Sequence, residues 1–195
     1  GLTDKTSIRV ETMKAVIEPE VRPDGRVTVN MGPARKAPEV LPFVPEGLES
    51  GTEGASWIYH AHLSCSDVWF SAVSMGNPHC VIFVRDPDYV DLEQIGPLLE
   101  NNAIFPQRAN VEFVQVVSRD HLRMRVWERG AGETLACGTG ACASIVAAVM
   151  TGRADRHVVM DLLGGSLTLD WSPDDGHVYQ EGPAQFVFDG EWLGE

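Results

Sequence analysis

Short segments in which apolar and polar residues alternate dominate this chain, and a period of two is typical of β-strands with one buried face. Turn residues separate these segments, as in Pro23-Asp24-Gly25. The pattern predicts strands at Ile8–Ile17, Arg26–Met31, Trp57–Leu63, Val68–Ser74, Cys80–Val84, Val111–Ser118, Leu122–Trp127, Val158–Leu163, Ser166–Trp171 and Ala184–Phe188.

Only two segments have the pattern of a helix. Asp91–Glu100 begins with a capping Asp and has Gln94 three residues later, but its internal Gly96-Pro97 predicts a kink or a break. Thr139–Met150 is apolar on every face, so we expect an enclosed helix, with Gly152 just beyond its end. Many strands and one enclosed helix predict an α+β fold in which a sheet wraps around a central helix.

Two further stretches bear on the organisation of the chain. Ala34–Gly54 carries several prolines and glycines and is predicted to be an irregular connection or an edge region. A domain boundary is predicted near Ser74–Pro78, where a strand meets Gly76-Asn77-Pro78.

Composition excludes some classes of protein. The 195 residues are 44% hydrophobic, enough for a real core in one domain or two small ones. With 15 basic and 28 acidic residues the net charge is −13, which argues against nucleic-acid binding. The longest apolar run, Ala141–Met150, has about half of the ~20 residues that span a bilayer, so no membrane span is predicted. No CxxC pair occurs among the four cysteines, Cys65, Cys80, Cys137 and Cys142. We therefore expect their thiols to be free and the protein to lie in the cytoplasm.

Cys137 is the leading candidate for chemistry because it stands at the mouth of the second predicted helix. The unpaired N–H groups and the dipole at a helix start favour a thiolate and can also hold a carboxylate. Gly138 and Gly140 allow close approach by a ligand, and Thr139 is a suitable N-cap. The alternative is a small buried cysteine that only packs, which is our interpretation of Cys142.

Other polar residues are candidates for binding. Glu128 and Arg129 end a predicted strand before a glycine loop, where they could engage an amine and a carboxylate, or form a solvated charge pair. Asn77 can donate and accept hydrogen bonds and His79 could move a proton, or both could serve only a turn. Asn110 is open to the same two interpretations.

Metal and nucleotide sites are not predicted. The loop Gly138–Ala141 lacks the further glycine of a Rossmann turn and the Gly-Lys-Ser/Thr of a phosphate loop. No HExxH or paired metal-ligand spacing occurs among His60, His62, His121, His157 and His177.

Three motifs together resemble the diaminopimelate epimerase family: Met75–Cys80, Arg108–Phe113 and Trp127–Ala141. The resemblance extends over essentially the whole chain. It implies a mostly antiparallel sheet wrapped around a central helix in each of two pseudo-symmetric halves. On this basis residues 1–75 are the later strands of an incomplete amino-terminal half and 76–182 the carboxyl-terminal half. Residues 183–195 are a terminal strand that can return to the first half.

The resemblance also implies an activity. The family interconverts LL- and meso-diaminopimelate without pyridoxal phosphate, for lysine and peptidoglycan synthesis, and two cysteines act on opposite faces of the α-carbon. It implies no metal, a small-molecule substrate and a homodimer. Cys137 matches the second catalytic cysteine, and His79 matches a supporting histidine near the other cysteine. Substrate contacts are implied for Asn77, Asn110, Glu128, Arg129, Gly138 and Thr139.

One feature of the family is missing from these residues. The first catalytic cysteine sits in an amino-terminal Gly-Asn-Gly-type turn, and neither Cys65 nor Cys80 has such surroundings. We therefore expect that cysteine to lie upstream of Gly1 and this chain alone to be inactive. A non-catalytic module that binds an amino acid and another racemase of the same fold remain alternatives.

Overall fold

The structure, a computed structural model, describes residues 3–11, 16–35 and 42–194. Within these ranges lie fourteen strands, two α-helices and one short 3-10 helix at Pro87–Tyr89. The helices are α1 (Leu92–Glu100) and α2 (Gly138–Met150). The strands are β1 (Val10–Glu11), β2 (Val16–Ile17), β3 (Glu20–Val21), β4 (Val27–Pro33), β5 (Glu49–Glu53), β6 (Ser56–His62), β7 (Asp67–Ser74), β8 (Pro78–Phe83), β9 (Asn110–Ser118), β10 (His121–Glu128), β11 (Gly132–Thr134), β12 (His157–Leu162), β13 (Gly165–Trp171) and β14 (His177–Gly182).

Twelve of the strands form one sheet, in the order β3-β4-β14-β13-β12-β10-β9-β8-β7-β6-β5, with β11 added to β10. Neighbours are antiparallel except for the parallel pairs β8 with β9 and β10 with β12. The prediction of a mostly antiparallel sheet in an α+β fold is therefore confirmed.

The central strands bury both of their faces, as β9 shows. Val111 and Phe113 belong to the cluster on the α1 side of the sheet. Val114, which has the opposite parity, belongs to the cluster that surrounds α2. Because side chains alternate along a strand, Glu112 lies on the α2 side with Val114. A carboxyl group is thereby placed inside the core, next to the start of α2.

Helix α2 confirms the predicted enclosed helix, since every residue from 140 to 148 is buried. It begins one residue earlier than predicted. The N-cap is Cys137, whose backbone is extended, and Thr139 lies within the first turn, so the predicted N-cap Thr139 is wrong. Gly152 follows the C-cap with a φ of +74° and its N–H bonds to the Val149 carbonyl at 3.0 Å, as predicted.

Helix α1 begins as predicted, with Asp91 accepting a hydrogen bond from the Gln94 N–H at 3.1 Å. The predicted break is wrong, because the helix continues through Gly96 and Pro97 to its end. The glycine allows a close approach instead: a Cβ built on Gly96 would lie only 2.5 Å from Cγ of Trp127. Gly96 is thus a packing contact with β10.

One prediction for the first part of the chain needs correction. The segment Ile8–Ile17 is not one strand, since Val10 pairs with Ile17 in an antiparallel two-stranded sheet; residues 12–15 lie outside the described ranges. The segment Ala34–Gly54, predicted to be an irregular connection or an edge region, contains strand β5, which pairs with β6 and lies at one edge of the larger sheet. Residues 36–41 are also outside the described ranges.

The end of the chain also differs from prediction. Ala184–Phe188 is not a strand in the structure, and large apolar side chains there are almost fully exposed, Phe186 at 97%. The last strand is β14, which the alternation analysis missed. It pairs with β4 and so joins residues from both sides of the predicted boundary in one sheet. The division into two halves stays a prediction. None of the described helices is long and apolar enough to cross a membrane.

Candidate functional site

Cys137 lies where the sequence placed it, at the mouth of α2, and only 6% of the residue is exposed. Its carbonyl accepts the first helical hydrogen bond, from the Ala141 N–H at 2.9 Å. The N–H groups of Gly138 and Thr139 precede that bond, so the helix offers them no partner. The thiol Sγ is 3.7 Å from the Thr139 hydroxyl. A thiol and two free donors therefore share the first turn of the helix.

The ionisation of Cys137 differs from the prediction for a helix mouth. Burial, which is the largest effect, and then the nearby Glu112 carboxyl raise the pKa of the thiol, which lies at about 12. The Gly140 N–H and the Thr139 hydroxyl lower this pKa, as expected at a helix start, but they are outweighed. Glu128 adds to the increase. The helix mouth thus favours the thiolate in the predicted direction, but burial and Glu112 have the larger effect on the pKa of Cys137.

Asn77 and His79 lie in the turn before β8 and at its start, beside the first turn of α2. The Asn77 amide Nδ2 donates to the Thr139 Oγ1 at 3.2 Å. Its Oδ1 is 3.2 Å from His79 Nε2, and His79 Nδ1 is 2.7 Å from Glu112 Oε1. A chain of polar contacts therefore runs from the buried Glu112 carboxyl, through His79 and Asn77, to Thr139, two positions after Cys137.

Asn110 acts as a brace between two loops. Its Oδ1 accepts the Arg129 N–H at 2.9 Å, and its Nδ2 approaches the Pro78 carbonyl at 3.4 Å. Both polar atoms of the amide thus have partners within the protein. The sequence predicted a substrate contact here, and the structure shows how Asn110 fixes the backbone of a neighbouring candidate.

Glu128 and Arg129 lie at the end of β10, as predicted. Glu128 accepts a hydrogen bond from the Thr134 hydroxyl at 2.5 Å, and the Arg129 guanidinium donates to the Gln107 carbonyl at 3.0 Å. Glu100, at the end of α1, holds the following turn by accepting the Gly130 N–H at 2.8 Å. The loop is therefore anchored from behind by a buried carboxylate that the sequence analysis missed.

A cavity of about 570 Å³ lies in front of these residues. Three of the predicted site residues, Asn77, Arg129 and Thr139, line it, together with Arg35 from the segment after β4. Arg35 was not predicted, because it lies in a stretch without a motif. Two guanidinium groups at one cavity provide charge for carboxylates of a ligand.

The first turn of α2 has no room for a side chain at the position of its second glycine, Gly140. A Cβ built there would lie 2.7 Å from Glu112 Oε1 and 3.2 Å from Cys137 Sγ. The space that a side chain would fill is thus occupied by a carboxyl and a thiol. Glu112 itself is fully buried and belongs to the Arg108–Phe113 motif, but the sequence analysis gave it no role.

Outside this region, His60 and His62 on β6 come near Glu49 on β5, with one ligand atom of each within 4.8 Å of the others. Spacing along the sequence did not reveal this group, because Glu49 is brought in by strand pairing. Each ring Nδ1 is already close to a carboxylate: Glu49 at 3.0 Å from His60, and Asp67 at 2.9 Å from His62. Contacts between histidine rings and carboxylates account for the arrangement, and the absence of a metal site stays a prediction.

Comparison with solved structures defines the fold class. A hydroxyproline epimerase from Agrobacterium vitis matches 92% of this chain and 58% of its own length, with 14% identity and a TM-score of 0.56. A phenazine biosynthesis protein of the PhzF family from Bacillus anthracis matches 93% of this chain and 66% of its own, with 14% identity and a TM-score of 0.53. The chain therefore has the fold that these epimerase and phenazine-biosynthesis proteins share.

Sequence comparison then gives the family. The diaminopimelate epimerase family model matches residues 71–187. The chain is 48% identical to diaminopimelate epimerase 1 of Nostoc sp. over 96% of its length, and 47% identical to the diaminopimelate epimerase of Synechocystis sp. over 98%. It belongs to the diaminopimelate epimerase family, as the motifs predicted. It spans about two thirds of these relatives, 66% and 67% of their lengths.

Proposed function

We propose that the protein containing this chain interconverts LL- and meso-diaminopimelate by moving the α-proton between two thiols, without a metal or an organic cofactor. Membership of the family supports the substrate. The observation that carries the mechanism is Cys137 at the mouth of α2, with the N–H groups of Gly138 and Thr139 beside it. The natural pathway would be lysine and peptidoglycan synthesis in the cytoplasm, and the four unpaired cysteines support that compartment.

In this proposal the helix mouth holds the substrate α-carboxylate. The two free N–H groups of Gly138 and Thr139 donate to it, and they stabilise the negative charge that develops when the α-proton leaves. Arg129, Arg35 and Asn77 line the adjoining cavity and are suited to the carboxylate and amine groups of the substrate. Glu128 is available to an ammonium group near the same loop.

The acid/base step at Cys137 transfers a proton only. When Cys137 acts as the acid, its S–H bond breaks, a C–H bond forms at the α-carbon, and the electron pair stays on sulfur. A base on the opposite face takes the original α-proton, so the configuration inverts and the total charge is unchanged. Acid and base groups positioned in this way contribute about 10²–10⁴-fold to a rate.

The second thiol is not found among the other cysteines of this chain. Cys65 is exposed at the turn between β6 and β7, and Cys142 is buried within α2. Cys80 is fully buried on the α1 side of the sheet. We therefore propose that residues outside these 195 supply the partner, and that this chain alone does not turn over diaminopimelate.

Isothermal titration and turnover test this proposal. The protein extended to its full length is expected to bind diaminopimelate, to discriminate against proline and hydroxyproline, and to epimerise it. Binding without turnover by the full-length protein would support a non-catalytic module instead. Preference for proline or hydroxyproline would support another racemase of the fold. Turnover by the 195-residue chain alone would contradict the need for an outside thiol. Sedimentation of the full-length protein tests the homodimer that the family implies.

A further inference from the structure

Glu112 is a fully buried carboxyl group that the proposed reaction does not use. Its exposure is 0%, and it lies in β9 between Val111 and Phe113. A charge in such surroundings is costly unless other groups compensate for it. Burial accordingly raises the pKa of the Glu112 carboxyl, and the neighbouring His79 lowers it.

His79 is the group that compensates for this carboxyl. Its Nδ1 lies 2.7 Å from Glu112 Oε1, whereas Glu112 Oε2 has no hydrogen-bond partner among the described residues. The other ring nitrogen, Nε2, faces the Asn77 Oδ1 at 3.2 Å and therefore carries a hydrogen, since a carbonyl oxygen only accepts. Nδ1 is therefore the ring nitrogen that meets the Glu112 carboxyl.

The same carboxyl faces Cys137 across the gap left by Gly140. A Cβ built on Gly140 would be 2.7 Å from Glu112 Oε1 and 3.2 Å from Cys137 Sγ, so the oxygen and the sulfur lie within about 6 Å of each other. The two groups are almost entirely withdrawn from water, which would otherwise screen their interaction. An ionised Glu112 carboxylate would therefore oppose a thiolate at Cys137.

Other titratable groups reinforce this effect or are neutral towards it. Glu128, from β10, raises the pKa of Cys137 in the same direction. Cys142, one turn further along α2, has its own pKa raised to about 12 by burial and, to a lesser extent, by Cys137. Cys80, from β8, lies on the other side of the sheet, where burial and then Glu112 raise its pKa. The basic residue nearest to these groups is His79, and its Nδ1 is directed at Glu112 rather than at the thiol.

We propose that Glu112 is a positioning residue that adds to the effect of burial in keeping Cys137 in its protonated form. Cys137 is then the proton donor, and the outside thiol the base, in one direction of the interconversion. This assignment of roles rests on the proposed function. The protonation of Cys137 by itself does not, because it follows from the burial of Cys137 and from its approach to Glu112 within this chain.

The test is the alkylation of Cys137 by iodoacetamide in the 195-residue chain, followed by peptide mass spectrometry at fixed pH values up to 9. A unit charge on the Glu112 carboxyl at this distance corresponds to a change of about 10- to 100-fold in the thiolate fraction of Cys137. The variant Glu112→Gln is expected to be alkylated about 10- to 100-fold faster than the wild type at pH 9. In both proteins the rate should rise with pH, as a thiolate reaction requires.

Glu100→Gln is the matched control. Glu100 is also buried and also accepts hydrogen bonds, but it lies at the end of α1 on the other face of the sheet. It should leave the alkylation rate of Cys137 unchanged. If Glu112→Gln does not fold, Glu112→Met, which removes the charge without adding a polar group, is expected to show the faster alkylation of Cys137 instead. Equal rates in the wild type and the folded Glu112 variants would overturn the proposal, as would an equal acceleration by Glu100→Gln. Neither result depends on diaminopimelate turnover, so failure here and failure of the proposed function are separate outcomes.

Discussion

A methyl group added at Gly140 has no free space in the folded protein. The new Cβ would lie 2.7 Å from Oε1 and 3.2 Å from Cγ of Glu112, well inside the usual contact distance of about 3.5–4.0 Å. Glu112 cannot move away easily, because it is fully buried and its Oε1 is 2.7 Å from His79 on the far side. The variant Gly140→Ala must therefore strain the helix mouth or weaken that buried contact.

The expected change in the free energy of unfolding of Gly140→Ala follows from three effects. Overpacking a core costs about 1–3 kcal/mol, and a weakened hydrogen bond to a charged group costs up to about 1.5–3 kcal/mol. Replacing Gly by Ala in a helix returns about 1 kcal/mol. Gly138→Ala has the same helix gain in the same turn, but its Cβ would meet the end of Gln180, with Oε1 at 2.9 Å. That side chain is only partly buried and can turn away. We expect Gly140→Ala to be less stable than Gly138→Ala by about 2 kcal/mol.

Urea unfolding at neutral pH, followed by tryptophan fluorescence, measures this difference. The midpoint of Gly140→Ala should lie below that of Gly138→Ala with the same slope, because an unchanged slope shows that the same surface is exposed. The melting temperatures should differ by about 4–8 °C for a chain of this size. Equal stabilities, or a more stable Gly140→Ala, would show that Glu112 is not fixed between His79 and the helix and would refute the reasoning.

Three further expectations follow from other contacts. Gly96→Ala should lower the unfolding free energy by about 1–3 kcal/mol, because its Cβ would overlap the Trp127 ring, with Cγ at 2.5 Å; unchanged urea unfolding would contradict this. Hydrogen bonds from the His177 N–H and the Tyr179 hydroxyl lower the pKa of Asp175 to about 2, so its stabilising effect is present above about pH 4 and is lost as the pH falls through about 2. Asp175→Asn should therefore destabilise the protein at pH 6 but not near pH 2, and an equal loss at both pH values would count against the linkage. Iodoacetamide at pH 8 should modify Cys65 first, since its thiol is exposed, whereas Cys137 is buried and its thiol has a pKa of about 12. Peptide mass spectrometry measures the labelling of each cysteine, and equal labelling of Cys137 and Cys65 would contradict this expectation.

Local patterns predicted those parts of the fold that local physics decides. Helix α2 and its enclosure follow from a run of residues that is apolar on all faces. The cap of α1 follows from the Asp91 side chain, which needs only the Gln94 N–H three residues later. The division of Ile8–Ile17 into two paired strands does not follow from local patterns, because an alternating segment has the same pattern whether it is one strand or two. The predicted strand Ala184–Phe188 has the alternation of a strand but no described strand beside it to pair with.

The site shows the same limit. Cys137 could be found because a cysteine before a Gly-Thr-Gly turn is a local signal. The pKa of its thiol could not, since it depends on burial and on Glu112, which β9 brings from 25 positions earlier in the sequence. A glutamate between two apolar residues of a predicted strand was a signal for a buried carboxyl that the alternation analysis passed over. Arg35 reaches the cavity through its pairing with Ser74, which no motif records.

The central claim is that the Cys137 thiol exchanges a proton with the α-carbon of diaminopimelate, and deuterium incorporation tests it most directly. The full-length protein and its Cys137→Ala variant would be incubated with LL-diaminopimelate in D₂O, and label at the α-carbon followed by NMR. Inversion by the wild type should place solvent deuterium at that carbon, and the variant should be slower by at least about 10²–10⁴-fold. Wild-type rates of incorporation and inversion in Cys137→Ala would contradict the account.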